Sequence, residues 1–88
     1  MIALAKATGH FSETVIDAEV VVMSLDSGDF FSLTGTARDI WELIDGTHDR
    51  AAIVAALAGR NGVVREAIVG EIDAFLAQLA EAGLLATD

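Results

Sequence analysis

The chain of 88 residues carries 14 acidic and 5 basic side chains, a formal net charge of −9, and has 53% hydrophobic residues with no proline or cysteine. This length predicts a single domain over residues 1–88, with enough apolar residues for a modest core rather than a disordered chain. The missing cysteines exclude disulfides and thiolate metal sites, and the scattering of Lys6, Arg38, Arg50, Arg60 and Arg65 excludes the basic patch that nucleic acid or an anionic membrane requires.

In chain order, Met1 is followed by none of the charged, apolar and small-residue succession of a secretion signal. The longest apolar runs, "VVVM" and "AAIVAALA", fall far short of the roughly 20 residues that cross a bilayer. A soluble cytoplasmic protein is expected. Residues 1–12 show no period and are assigned to an arm or a short first strand. "TVIDAEVVVMSL" is rich in β-branched residues and reads as one or two strands, with Val21, Met23 and Leu25 on one face and Val20, Val22 and Ser24 on the other. "DSGD" is a hairpin connection in which Gly28 is free to take positive φ. "FFSL" returns as the next strand. One of its adjacent aromatics must point away from what the other buries. The pattern places Phe31 and Leu33 inward and Phe30 and Ser32 outward, the reverse parity being the alternative.

After Leu33 the period becomes helical. Ala37, Ile40, Trp41 and Ile44 share a face, Thr34 or Thr36 is the expected N-cap, and Gly46 is suited to the left-handed terminating position. Thr47 is the expected cap of "HDRAAIVAALAG", with Asp49 in its first turn and Ile53, Val54 and Leu57 as its stripe. "GRNG" reads as a loop. A last helix is expected from about Val64 to Ala82, with Ile68, Ile72, Phe75 and Leu79 as the main seam and Val69 and Leu76 beside it. Gly83 stops it, and Leu84 and Leu85 fold back onto the core. The order describes an α+β fold in which a small antiparallel sheet is followed by three helices.

Catalytic chemistry is hard to place on this sequence. His10 lies in the arm and His48 at a helix start, where each reads as a solvated residue or local cap, and no HxxxH, HxxE or CxxC spacing is present. No cofactor or metal is expected. The Asp26–Ser27 dipeptide matches the phosphopantetheine attachment pair of acyl carrier proteins, but Gly28 and Asp29 follow it in a turn where a carrier opens a helix with a hydrophobic residue. Asp73, between Ile72 and Phe75, is the one carboxylate placed beside an apolar seam.

What the pattern does leave is an edge. "FFSL" pairs through the hairpin on one side, and nothing downstream is a strand. Its other edge is therefore either covered by the arm or a helix, or open to another chain.

The run "LDSGDFFSLTGTARDIWELIDGTHDRAAIVAALA" with "FLAQLAEAGLL" resembles the PqqD family, through Phe30, Phe31, Leu33, Ile40, Trp41, Asp45, Gly46, Ile53, Leu57, Phe75, Leu79, Gly83, Leu84 and Leu85. Thr34 stands where that family commonly has asparagine. The resemblance implies a winged-helix-like fold of three strands and three helices, and a non-catalytic role in recognising ribosomally made precursor peptides. It implies that a leader segment adds as a strand to the third strand, in the groove with the third helix, and is presented to a separate leader peptidase or other maturation enzyme. The "SGDFFSLTGTARDIW" run is most similar to the stand-alone members of lasso-peptide pathways. On this reading the peptide-binding residues are Phe30, Phe31, Ser32, Leu33, Val69, Ile72, Asp73 and Leu76. Roughly five backbone bonds at about 1 kcal/mol each would be offset by ordering the peptide, so apolar anchors must supply the affinity. The rival reading from the same fold is a winged-helix DNA-binding regulator, against which the charge balance speaks.

Overall fold

The computed structural model describes residues 3–86. Met1 and Ile2 of the expected arm, and residues 87 and 88, lie outside that range. Three strands, β1 (Phe11–Ile16), β2 (Glu19–Ser24) and β3 (Phe30–Leu33), form an antiparallel sheet in the order β1-β2-β3. Three helices follow: α1 (Gly35–Leu43), α2 (Arg50–Asn61) and α3 (Val69–Glu81), the last preceded by one 3-10 turn at Arg65–Ala67. The α+β architecture read from the sequence is the one adopted.

Strand pleating sorts the sheet into two faces. Val20 pairs with Leu33 and Val22 with Phe31 on the helical side, while Val21 pairs with Ser32 and Met23 with Phe30 on the other. Val20, Val22, Ser24 and Leu33 are buried, and Phe30 is 69% exposed. The expected parity of the two aromatics is thus the observed one. The β2–β3 hairpin closes through Ser24 N–H donating to Asp29 O at 2.9 Å and Gly28 N–H donating to Ser24 O at 2.8 Å. Gly28 takes φ +80°, a conformation that costs a side-chain-bearing residue steric strain. Ser24 is the one buried polar residue among those described, and its hydroxyl accepts from Ser27 N–H.

The helices bury their apolar stripes against that face. Ile40, Trp41, Leu43 and Ile44 meet Ile53, Val54, Leu57, Ile68, Ile72, Leu79 and Leu84 in one cluster with the inner sheet residues. Trp41 is its hub. Phe11 contacts it edge-on at 5.2 Å, Lys6 Nζ lies 4.8 Å from its ring centroid, and its Nε1–H donates to Glu13 Oε1 at 3.1 Å. The buried indole N–H is thereby satisfied by a carboxylate on β1.

Several end signals differ from expectation. Thr34 holds the N-cap position of α1 but makes no side-chain cap bond. α1 ends before Gly46, whose positive φ serves a turn and whose N–H donates to Leu4 O. Asp49, not Thr47, caps α2, accepting from Ala52 N–H at 2.8 Å. Thr47 is engaged instead by Asp45, which accepts from both its N–H and its hydroxyl. The residue at the N-cap position is the one whose side chain reaches the first free amides of the helix, and here that residue is Asp49. Gly59–Asn61 remain helical rather than looping, and Gly62 makes the left-handed stop.

The arm settles where the edge strand is not. Leu4 N–H donates to His48 O, Ala7 N–H donates to Leu84 O, and Ala5 O accepts from Ala86 N–H. Residues 4–7 are thus laced between the α1–α2 connection and the segment after α3, with bridges Leu4–His48 and Lys6–Leu85.

Candidate functional site

The sheet has two outer edges, and β3 supplies one of them. Its inner edge bonds β2, and the alternation of an antiparallel ladder decides which groups face outward. Ser24–Asp29 is a hydrogen-bonded pair. Stepping along the register, Val22–Phe31 and Val20–Leu33 are bonded pairs as well, so Phe31 and Leu33 spend their backbone groups on β2. The N–H and C=O of Phe30 and Ser32 therefore point away from the sheet. Among the described residues, neither the arm from residue 3 onward nor any strand pairs with them.

Beside this edge lies a cleft of about 410 Å³ lined by Asp29, Phe31, Gln78, Glu81 and Ala82. Phe31 forms the strand wall, half-buried against the core. The helix wall comes from α3, where positions 75, 78 and 82 fall on one flank by the i, i+3, i+7 rule. Phe75 and Ala82 on that flank are partly buried apolar residues. An open row of backbone donors and acceptors thus runs along a shallow, partly apolar trough, which suits an extended peptide.

The residues singled out in the sequence divide into three groups. Phe30, Phe31 and Ser32 lie on the edge, with Phe30 on the sheet face away from the helices. Leu33 and Ile72 are buried, at 3% and 0% exposure, so neither side chain is available to a ligand. Val69, Asp73 and Leu76 lie on the flank of α3 opposite to Phe75, Gln78 and Ala82. Val69 lines a separate cleft of about 210 Å³ with Arg50, Ala51, Val54, Arg65 and Glu66. Asp73 is held there by Arg50, which donates from Nε at 2.5 Å and from Nη2 at 2.7 Å. That forked pair holds the Asp73 carboxyl below the usual carboxylate range, by the hydrogen bonds first and the charge second. The structure thus brings Phe31 together with Gln78, Glu81 and Ala82, and not with Val69, Asp73 and Leu76. Helical periodicity identifies the buried seam of α3 but not which flank faces the sheet. Ala82 and Gln78 carry no chemical signal of their own.

A polar cluster lies away from this edge, in the connection between α1 and α2. Asp45 accepts from Thr47 and lies 3.0 Å from His48 Nδ1, which depresses its carboxyl strongly, the Thr47 hydroxyl bond being the largest cause. Among the described residues no group of three His, Cys, Asp or Glu side chains is placed to hold a metal ion. No helix among them is long and apolar enough to cross a membrane.

Comparison with known proteins bears on this edge. The model of the PqqD family, described as coenzyme PQQ synthesis protein D, matches residues 19–85, from β2 through the segment after α3. Among solved structures, TbiB1 in complex with the TbiA(beta) leader peptide is similar at a TM-score of 0.80 and 29% identity, covering 92% of this chain and 96% of that one. Lasso peptide synthetase B1 complexed with the leader peptide is similar at a TM-score of 0.81 and 22% identity, covering 97% of this chain and 99% of that one, a likeness of fold. No curated protein sequence matches the chain significantly.

Proposed function

The chain belongs to the PqqD family, and on that premise we propose that it is a non-catalytic, cytoplasmic recognition protein for the leader segment of a ribosomally made precursor peptide. The leader adds as a fourth strand to β3 and is presented to a separate leader peptidase or other maturation enzyme. The observation that carries this reading is the unpaired outer edge of β3 beside the cleft with α3. The similar TbiB1 structure is a leader-peptide complex, which supports it further.

In this proposal fewer groups act directly. Phe30 and Ser32 offer one N–H and one C=O each, fewer bonds than the sequence suggested. At about 1 kcal/mol net per bond they fall short of the ordering cost of a flexible peptide, about 1–2 kcal/mol per residue. Side chains must supply the difference. Leader residues opposite Phe31 point into the cleft against Phe31 and Ala82. Those opposite Phe30 and Ser32 lie on the outer face, where Phe30 and Met23 form an apolar shelf. Leu33 and Ile72 support the trough from below. Val69, Asp73 and Leu76 take no direct part.

A DNA-binding role fits less well. Arg50 is paired with Asp73, Arg38 lies against Ala18 O and Glu42, and Lys6 sits over Trp41. Too few cations remain to neutralise a run of phosphates.

Amide exchange tests the proposal. Synthetic peptides tiling the leader of a short precursor should slow exchange at Phe30 and Ser32 and leave Glu13 and Val15 of β1 unchanged. Saturable binding that protects β1, or that leaves the β3 amides untouched, would refute it.

A further inference from the structure

The cleft beside β3 is electrically one-sided at its hairpin end. Asp29 and Glu81 both line it, with Gln78 between the strand and the helix end. Asp29 Oδ2 accepts the Ser27 hydroxyl, and no ion pair engages either carboxylate among the described residues. α3 ends at this point, with no basic residue in its last turn to offset the negative end of its dipole. Among the described residues, no Lys or Arg side chain, Arg60 included, lines the cleft. Lys6 lies over Trp41, Arg38 against Glu42, Arg50 against Asp73, and Arg65 in the cleft on the other flank of α3. A net charge of −9 supplies no compensating field.

Pleating then fixes where a ligand charge must sit. Asp29 and Phe31 both line the cleft, two residues apart on one face. A strand added along β3 sets one side chain opposite Phe31 and another, two positions away on the same face, beside Asp29 and Glu81. We propose that the peptide bound along β3 carries a lysine or arginine at that second position, and that Asp29 and Glu81 select for it. This rests on the strand-addition reading above and specifies the chemistry of its ligand. The apolar residue opposite Phe31 supplies burial, and the cation rejects segments that are merely hydrophobic.

The test is a selection of random twelve-residue peptides displayed on phage, carried out on the intact protein, with selected peptides resynthesised for fluorescence polarisation. Selected sequences should share an apolar residue with lysine or arginine two positions away. Alanine at the basic position should weaken binding about tenfold, roughly the effect of two partly exposed ion pairs. Most of that difference should vanish at about 1 M salt, where the Debye length is near 3 Å. Selection on Glu81→Lys/Asp29→Asn should turn the preference to aspartate or glutamate. Both positions are exposed, and equal melting temperatures would show that the fold is kept. Peptides whose binding is lost in Ser32→Pro but which show no charge preference would overturn the inference and leave the strand-addition reading standing. Peptides indifferent to Ser32→Pro, or no enrichment at all, would overturn both.

Discussion

β1 and β3 are both outer strands of one small sheet, yet they end up as different kinds of edge. β1 turns the backbone groups of Phe11, Glu13 and Val15 outward, by the same alternation that turns out Phe30 and Ser32 on β3. On β1, however, Glu13 points toward the helical side and accepts from Trp41 Nε1. An inward charge on an edge strand blocks a neighbour, since any added chain would have to pass its carboxylate. Beyond Glu13, Val15 and Ile16 are exposed, at 60% and 52%. β3 carries no charge within Phe30–Leu33, and α3 gives it a second wall. The family match begins at residue 19 and so takes in β3 but not β1. An edge becomes a binding site when an adjacent wall accepts the alternate side chains of its guest.

The sharpest way to break this comparison is proline. Ser32→Pro removes an outward N–H without touching the β2 ladder, so leader binding should fall at least about thirtyfold, some 2 kcal/mol, while the melting temperature changes little. Val15→Pro, its counterpart on β1, should leave affinity within about twofold. Calorimetry on the two variants decides it, and the opposite ranking would move the site to β1. Next in size, Ala82→Phe fills the α3 wall and should weaken binding about tenfold, by a steric cost of about 1–3 kcal/mol. Phe30→Asp, on the outer shelf, should cost about tenfold as well with the fold intact, because Phe30 is already exposed. Equal affinity in a folded Phe30→Asp would confine recognition to the cleft side.

Smaller effects sharpen the contrast from the far side of the molecule. Asp73→Asn breaks the Arg50 fork on the opposite flank of α3 and should leave affinity unchanged, with a modest loss of thermal stability. Measured tight coupling between Asp73 and the leader would return it to the site. Asp45 anchors the loop that receives the arm. Its folded pKa lies below the unfolded value near 3.9, so its contribution is fully present above that value and is lost as pH falls through the folded pKa. The melting temperature of Asp45→Asn should therefore lie below that of the parent at pH 7 and approach it under acid conditions, with leader affinity at pH 7 unchanged.

The amino-acid sequence settles the order of strands and helices and the helical part of the core, and leaves the parity of the strands open. Only the fold shows that Val20 and Val22 point inward, because residues 20–23 are apolar on both faces, whereas Ile40, Trp41, Ile53, Leu57, Ile72 and Leu79 are legible in the sequence because helix burial imposes a period of 3.6 on apolar residues. The sequence also determined that Phe30 and Phe31 part company, since adjacent residues on a strand cannot share a face. It left open whether the arm covers β3, because weak local signals in residues 3–8 do not say which distant carbonyls they will meet. Only the folded chain placed Leu4 against His48 and Ala7 against Leu84, far along the sequence, and so left the outer side of Phe30 and Ser32 without a strand partner among the described residues. Only the packing of α3 decided that Gln78, Glu81 and Ala82, rather than Val69, Asp73 and Leu76, line the trough with Phe31. A helix shows its buried stripe in its own sequence, whereas the neighbour of each flank is set by contacts between residues tens of positions apart.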